Sequence, residues 1–128
     1  GESFPEFVFH TVKGKELTPI SLYGKWILLY FKNSLSTLHH AQFDQLLTDL
    51  SEASKEVEIE AIAIFAYDEP IETLLENRSI DGVKNGNGFF QRFHLTSMPT
   101  VFLINPEGQT TAKFEGTKPI EFRSYLGK

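Results

Sequence analysis

Trp26-Ile27-Leu28-Leu29-Tyr30-Phe31-Lys32 runs directly into Asn33-Ser34-Leu35-Ser36-Thr37-Leu38-His39-His40. The first six residues are all apolar or aromatic. A strand with one wet face alternates, so this unbroken run predicts a strand covered on both faces, as in a parallel sheet between helices. From Thr37 the period changes. Ala41, Phe43, Leu46, Leu47 and Leu50 form one apolar stripe, with Asp44, Gln45, Thr48 and Asp49 opposite. That spacing predicts an amphipathic helix ending around residues 53–55, with Ser36 as its N-cap.

Upstream, Phe7–Val12 and Leu17–Leu22 flank Lys13-Gly14-Lys15 and read as a hairpin. Downstream, Val57–Phe65 begins alternating and ends solidly apolar, the pattern of a second inner strand. Asp68-Glu69-Pro70 reads as a helix start, with Pro in the first turn and acids at the positive end of the dipole. Ile71, Leu74 and Leu75 supply that helix's buried face. Asn85-Gly86-Asn87-Gly88 is a turn leading into a short helix over Phe89–Phe93. Met98-Pro99 leads a strand to Ile104, Asn105-Pro106-Glu107-Gly108 turns, and Thr110–Phe114 returns. Lys118–Leu126 reads as one or two final helical turns. The expectation is a single α/β domain over residues 1–128, without repeats or linkers.

Composition narrows the function classes. The chain has 128 residues, a formal net charge of −5 and no cysteine. With no basic cluster to neutralise phosphates, the expectation is no nucleic-acid partner. Nothing favours an anionic membrane surface, and no apolar run reaches the roughly 18 residues of a membrane span. The chain opens Gly1-Glu2-Ser3-Phe4 without an initiator Met, so a signal or anchor removed upstream stays open. Lack of cysteine excludes disulfides and cysteine metal sites and says nothing about compartment.

Three stretches carry a family resemblance. Leu22-Tyr23-Gly24-Lys25-Trp26 through Phe31 is similar to an "L-x-G-K-x-v-l-l-x-F" entry to an active-site strand. Ser97-Met98-Pro99-Thr100-Val101-Phe102-Leu103-Ile104-Asn105-Pro106-Glu107-Gly108 is close to "G-x-P-T-x-F-L-I-D-x-x-G". Phe4-Pro5-x-Phe7 and its hairpin match an N-terminal extension. The chain thereby resembles the thioredoxin-like superfamily, in its TlpA/ResA-like (AhpC/TSA-type) thiol-disulfide oxidoreductase branch. The resemblance implies a thioredoxin-like α/β fold: a central mixed sheet flanked by helices, with an N-terminal β-hairpin. It also implies a bacterial, extracytoplasmic protein, periplasmic or membrane-anchored.

The family's chemistry does not carry over. Its cysteine pair would fall at Leu35 and Leu38, or at Ser36 and His39 with a one-residue shift. Ser34, Leu35, Ser36, Thr37, Leu38 and His39 are therefore degenerate redox-site positions, and no catalytic residue is assigned. Exchange needs a thiolate, which no hydroxyl or imidazole replaces. The carboxylate that many members place nearby is missing from residues 26–31 and from Ala41 and Gln42. A peroxiredoxin-type alignment, "F-x-P-x-x-x-T-x-x-C", matches Phe31 and Thr37 but puts Asn33 at the proline and His40 at the cysteine. Imidazole forms no sulfenate.

The remaining candidates divide into groove and plain structure. By resemblance, Pro99 is cis and lies beside the redox site, so Met98, Pro99 and Thr100 form a groove for a peptide or protein partner. The other reading is that Pro99 only shapes the turn into the strand. Met98, a soft thioether, suits an adaptable apolar edge. His39 and His40 point about 100° apart on a helix and cannot chelate one metal from one face. Neither His10 nor His94 has the spacing of a third ligand, so no metal and no cofactor is expected. Ser34, Ser36 and Thr37 near these histidines lack the G-x-S-x-G elbow of a hydrolase. Asn77-Arg78-Ser79 matches a glycosylation sequon by a pattern common by chance, and Glu56, Glu58 and Glu60 read as a strand's exposed side. The expected function is a redox-inactive binding or structural module. The alternative is an oxidoreductase-related protein whose cysteines come from a partner or a missing segment.

Overall fold

The structure is a computed structural model, and it describes residues 3–127. Five strands form one mixed sheet in the order β5-β4-β3-β6-β7. β3 (Trp26–Lys32) lies at its centre, parallel to β4 (Ile59–Phe65) and antiparallel to β6 (Thr100–Ile104). β5 (Asp81–Val83) extends the parallel side and β7 (Thr110–Glu115) the antiparallel side. A separate two-stranded sheet pairs β1 (Phe9–His10) with β2 (Glu16–Leu17).

The alternation of side chains along a strand divides β3 between two cores. Trp26, Leu28 and Tyr30 face α1 (His40–Ala53), meeting Phe43, Leu46, Leu47 and Leu50, and Ile71 and Leu75 of α2 (Ile71–Leu75). Ile27, Leu29 and Phe31 face the other way, toward Phe7, Phe9 and the phenylalanines of α3 (Asn87–Arg92). Each fully buried Leu or Phe contributes about 1.5–3 kcal/mol. Arg92 pins the N-terminal segment to α3: its guanidinium lies over Phe89 and Phe93 and donates to the Glu6 carbonyl.

Several elements depart from the sequence expectation, each for a local reason. α1 begins at His40, not near Ser36. Ser34 accepts from the Ser36 N–H and caps a separate 3-10 turn over Leu35–Thr37, and Leu38 is extended. Ala41, expected on the buried stripe, is exposed, and Gln42 is buried instead, donating to the Gly116 and Lys118 carbonyls. The hairpin strands are two residues each, because Thr18 and Ser21 exchange hydrogen bonds and coil the segment before Leu22. The expected final helix is only a 3-10 turn, Arg123–Tyr125. Ile120 and Phe122, two apart, are both buried, which an extended chain allows and a helical one does not. β5 was not apparent from sequence. Its Gly82 backs onto the methyls of Leu75 and Ile71, where a Cβ would collide.

Two substitutions test this packing. A Cβ on Gly86 would lie 2.5 Å from Ile64 Cγ2 and 3.0 Å from the Phe65 carbonyl oxygen. Gly86→Ala is therefore expected to destabilise by about 1–3 kcal/mol in denaturant unfolding, as overpacking does. The Tyr30 hydroxyl is buried with no hydrogen-bond partner among the described residues. Tyr30→Phe removes that unmet group while keeping the ring on Phe43, 5.2 Å away between centroids, and is expected to be neutral or to stabilise by about 1 kcal/mol.

Candidate functional site

The register of β3 and β6 brings the sequence candidates to one end of the sheet. Phe31 pairs with Thr100, so the chain leaving β3 at Asn33 and the chain entering β6 at Pro99 lie on neighbouring strands at the same edge. That edge is also the carboxyl end of the parallel strands β3 and β4, where open α/β sheets place their ligand crevices. The Asn33 carbonyl accepts from Ala66 N–H at 3.2 Å, joining the loops that follow the two strands.

A carboxylate organises the loop. Glu69, 34 residues downstream of Leu35, accepts the Leu35 N–H on Oε1 at 2.9 Å and the Ser34 hydroxyl on Oε2 at 3.1 Å. The Ser36 and Ser34 hydroxyls lie 2.9 Å apart, and with the Ser34 proton on Glu69, Ser36 is the donor between them. Thr37 Oγ1 donates to the Ser34 carbonyl at 3.2 Å. Leu38 is buried and Leu35 half-buried against the α1-side core. Leu35 and Leu38, the pair of the first register, are thus apolar anchors, while Ser36 and His39, the pair of the shifted one, are exposed. Among the described residues no histidine is hydrogen-bonded to Ser34, Ser36 or Thr37, and the Glu69 carboxylate that takes the Ser34 proton is itself held by the Leu35 N–H.

His39 and His40 are both exposed at the start of α1. His10 lies in the hairpin, 3.7 Å from Glu16, and His94 follows α3. At the β6 entrance Met98 is half-buried, while Pro99 and Thr100 are buried. The Met98–Pro99 peptide bond is cis. Thr100 Oγ1 donates to the Ser97 carbonyl, and Gly116 N–H donates to Pro99 at 3.0 Å. Met98 makes no main-chain hydrogen bond to another described residue.

Two site residues escaped the sequence reading. Glu69 was assigned to a helix start, whereas α2 begins at Ile71 and Glu69 turns back to the loop. Lys32 was taken as the plain end of a strand. It is 6% exposed, and burial lowers its amine's pKa from the ordinary lysine value. The Glu69 segment is braced by Lys84, 2.6 Å from Glu72 and 3.5 Å from Asp68. The Lys84 hydrogen bond lowers the Glu72 pKa, and Glu72 raises that of Lys84. The brace is therefore intact at neutral pH. Its Glu72 contribution is lost as pH falls through the lowered carboxyl value, and its Lys84 contribution as pH rises through the raised amine value.

No protein-family model and no curated protein matches this chain. Solved structures do match it. The fold is thioredoxin-like. A thio-disulfide isomerase from Thermus thermophilus superposes with a TM-score of 0.72 at 21% identity, over 92% of this chain and 87% of that one. The thioredoxin domain of a thiol-disulfide oxidoreductase from Bacteroides vulgatus gives 0.69 at 17%, over 91% and 89%. The exposed lipoprotein thioredoxin of Streptococcus pneumoniae gives 0.66 at 16%, over 89% and 91%. The thioredoxin-like scaffold of these oxidoreductases is present here without any cysteine.

Removing the organising carboxylate tests the loop architecture. Glu69→Ala leaves the Leu35 N–H without its acceptor and is expected to cost about 1–3 kcal/mol. Amide exchange at Leu35 and Ser36 should accelerate while that of the β3 amides does not. Unchanged exchange across 34–37 would show that the loop holds itself.

Proposed function

We propose that this chain is a redox-inactive thioredoxin-fold module that binds an extended segment of a protein partner along Met98–Thr100. The observation that carries the reading is the state of the site. The loop where the fold's cysteines would sit is closed by Glu69 and two leucine anchors, while the neighbouring main chain at Met98 has no hydrogen-bond partner among the described residues. An extended segment can pair with such a backbone edge, and side-chain pockets then supply specificity. Met98 offers an adaptable apolar contact beside that edge. Thiol exchange has no nucleophile to start from.

An extracytoplasmic setting, in a bacterial cell, accompanies this proposal. Its support is the fold shared with an exposed lipoprotein thioredoxin. No helix among the described residues is long and apolar enough to cross a membrane.

The test is selection of linear peptides from a random displayed library, followed by mapping of amide shifts on the labelled protein. Selected peptides should perturb residues 33–38 and 97–100. Met98→Asp should weaken them at least about tenfold, equivalent to 1.4 kcal/mol, without lowering the melting temperature. A library that yields no binder, or a footprint elsewhere, would leave a purely structural domain. Acceleration of insulin-disulfide reduction by the cysteine-free protein would overturn the redox-inactive half of the proposal.

A further inference from the structure

Lys32 is the residue that the fold does not account for. The chain carries 17 Asp and Glu against 12 Lys and Arg, so acidic partners are plentiful. Other cations use them: Lys15 pairs with Glu60, Lys25 with Glu58, Lys55 with Glu52 and Lys84 with Asp68 and Glu72. The side chains of those lysines are more exposed than Lys32, whose residue as a whole is more than nine-tenths buried. Among the described residues Lys32 enters no ion pair and its amine donates no hydrogen bond. Its stem is buried while its ammonium reaches solvent at this end of the sheet, partly desolvated and without a counter-charge.

Its position says what the missing partner is. Lys32 follows the Phe31–Thr100 pair in an antiparallel ladder, so the next rung sets it beside Pro99. By the alternation of β3 it lies on the α1 side with Tyr30, the side on which Leu35 and Leu38 anchor the loop. The nearby acid of the site, Glu69, has both oxygens committed to Ser34 and Leu35. The Met98–Thr100 edge therefore has an apolar side chain, free backbone groups and one unmatched, poorly hydrated positive charge.

We propose that Lys32 is the specificity-determining cation of this groove, receiving a carboxylate from the segment bound along Met98–Thr100, so that the partner is an acidic peptide. The inference rests on the peptide-groove reading and narrows it. A charge-assisted hydrogen bond from a poorly solvated ammonium discriminates a carboxylate from its neutral isostere, since the isostere leaves the cation unmatched.

The peptides recovered from the displayed library provide the test. Sequences selected by the wild-type protein should be enriched in Asp or Glu at one fixed position. Replacing that acid by its amide in a synthetic peptide should weaken binding about tenfold or more, a measurement that leaves the protein untouched. Lys32→Met and Lys32→Gln should lose the same factor for the acidic peptide and little for the amide, so that the cycle shows coupling. Lys32→Met should melt no lower than wild type, since it removes a desolvated charge and keeps the apolar stem. Binders without acid enrichment, or equal losses for acid and amide peptides, would overturn the role of Lys32 and leave the groove standing. Failure to select any groove-binding peptide would overturn both.

Discussion

Burial of β3 on both faces is the constraint from which the remaining architecture follows. No residue from Trp26 to Lys32 is exposed, and every backbone group along the strand must find its partner in a neighbouring strand. β4 meets that need on one side in parallel and β6 on the other in antiparallel register. A parallel neighbour needs a crossover, which is α1, and the crossover in turn covers Trp26, Leu28 and Tyr30. The opposite face then needs its own cover, which the aromatic N-terminal segment and α3 provide together. Both cores therefore share one strand, and the loop that leaves its end inherits a rigid base.

That rigid base gives the loop a conformation without a covalent link. In a thioredoxin-type site, a disulfide between cysteines three apart can close the turn. Here Leu38 is driven into the core by burial, Leu35 partly so, and Glu69 reaches across from the β4 loop to hold the turn's polar side. A carboxylate holding two donors keeps the turn's shape without any sulfur. The neighbouring β6 entrance is unaffected, and its backbone stays available at Met98.

The sequence made the scaffold legible because hydrophobic period reports burial directly. The unbroken run of β3, the late-solid run of β4 and the Pro-led run of β6 each announced an inner strand, and the 3-4 stripe after Thr37 announced α1. The pieces that were not legible depend on partners far along the chain. Glu69 looked like a helix-start acid, because nothing local shows that its oxygens meet residues 34 and 35. β5 is three residues long and contains Gly82, so it has no period to read. Ile120 and Phe122 did carry a signal: their spacing of two argued for extended chain where a helix was expected.

Lys32 shows why a site can be hidden in a sequence and evident in a fold. As the last letter of an apolar run, it reads as the strand's exit to solvent. In the fold its stem is nearly as buried as the leucines before it, and among the described residues no acid pairs with it. Partial desolvation disfavours its charged form, which lowers the amine's pKa from the ordinary lysine value. A methionine there would serve the packing at least as well. Among the side chains at this end of the sheet, Leu35 and Leu38 fill the core, Ser34 and Ser36 close the turn and Glu69 binds it. The stem of Lys32 packs with them, but its ammonium has no counter-charge among the described residues, and a carboxylate arriving from outside supplies it.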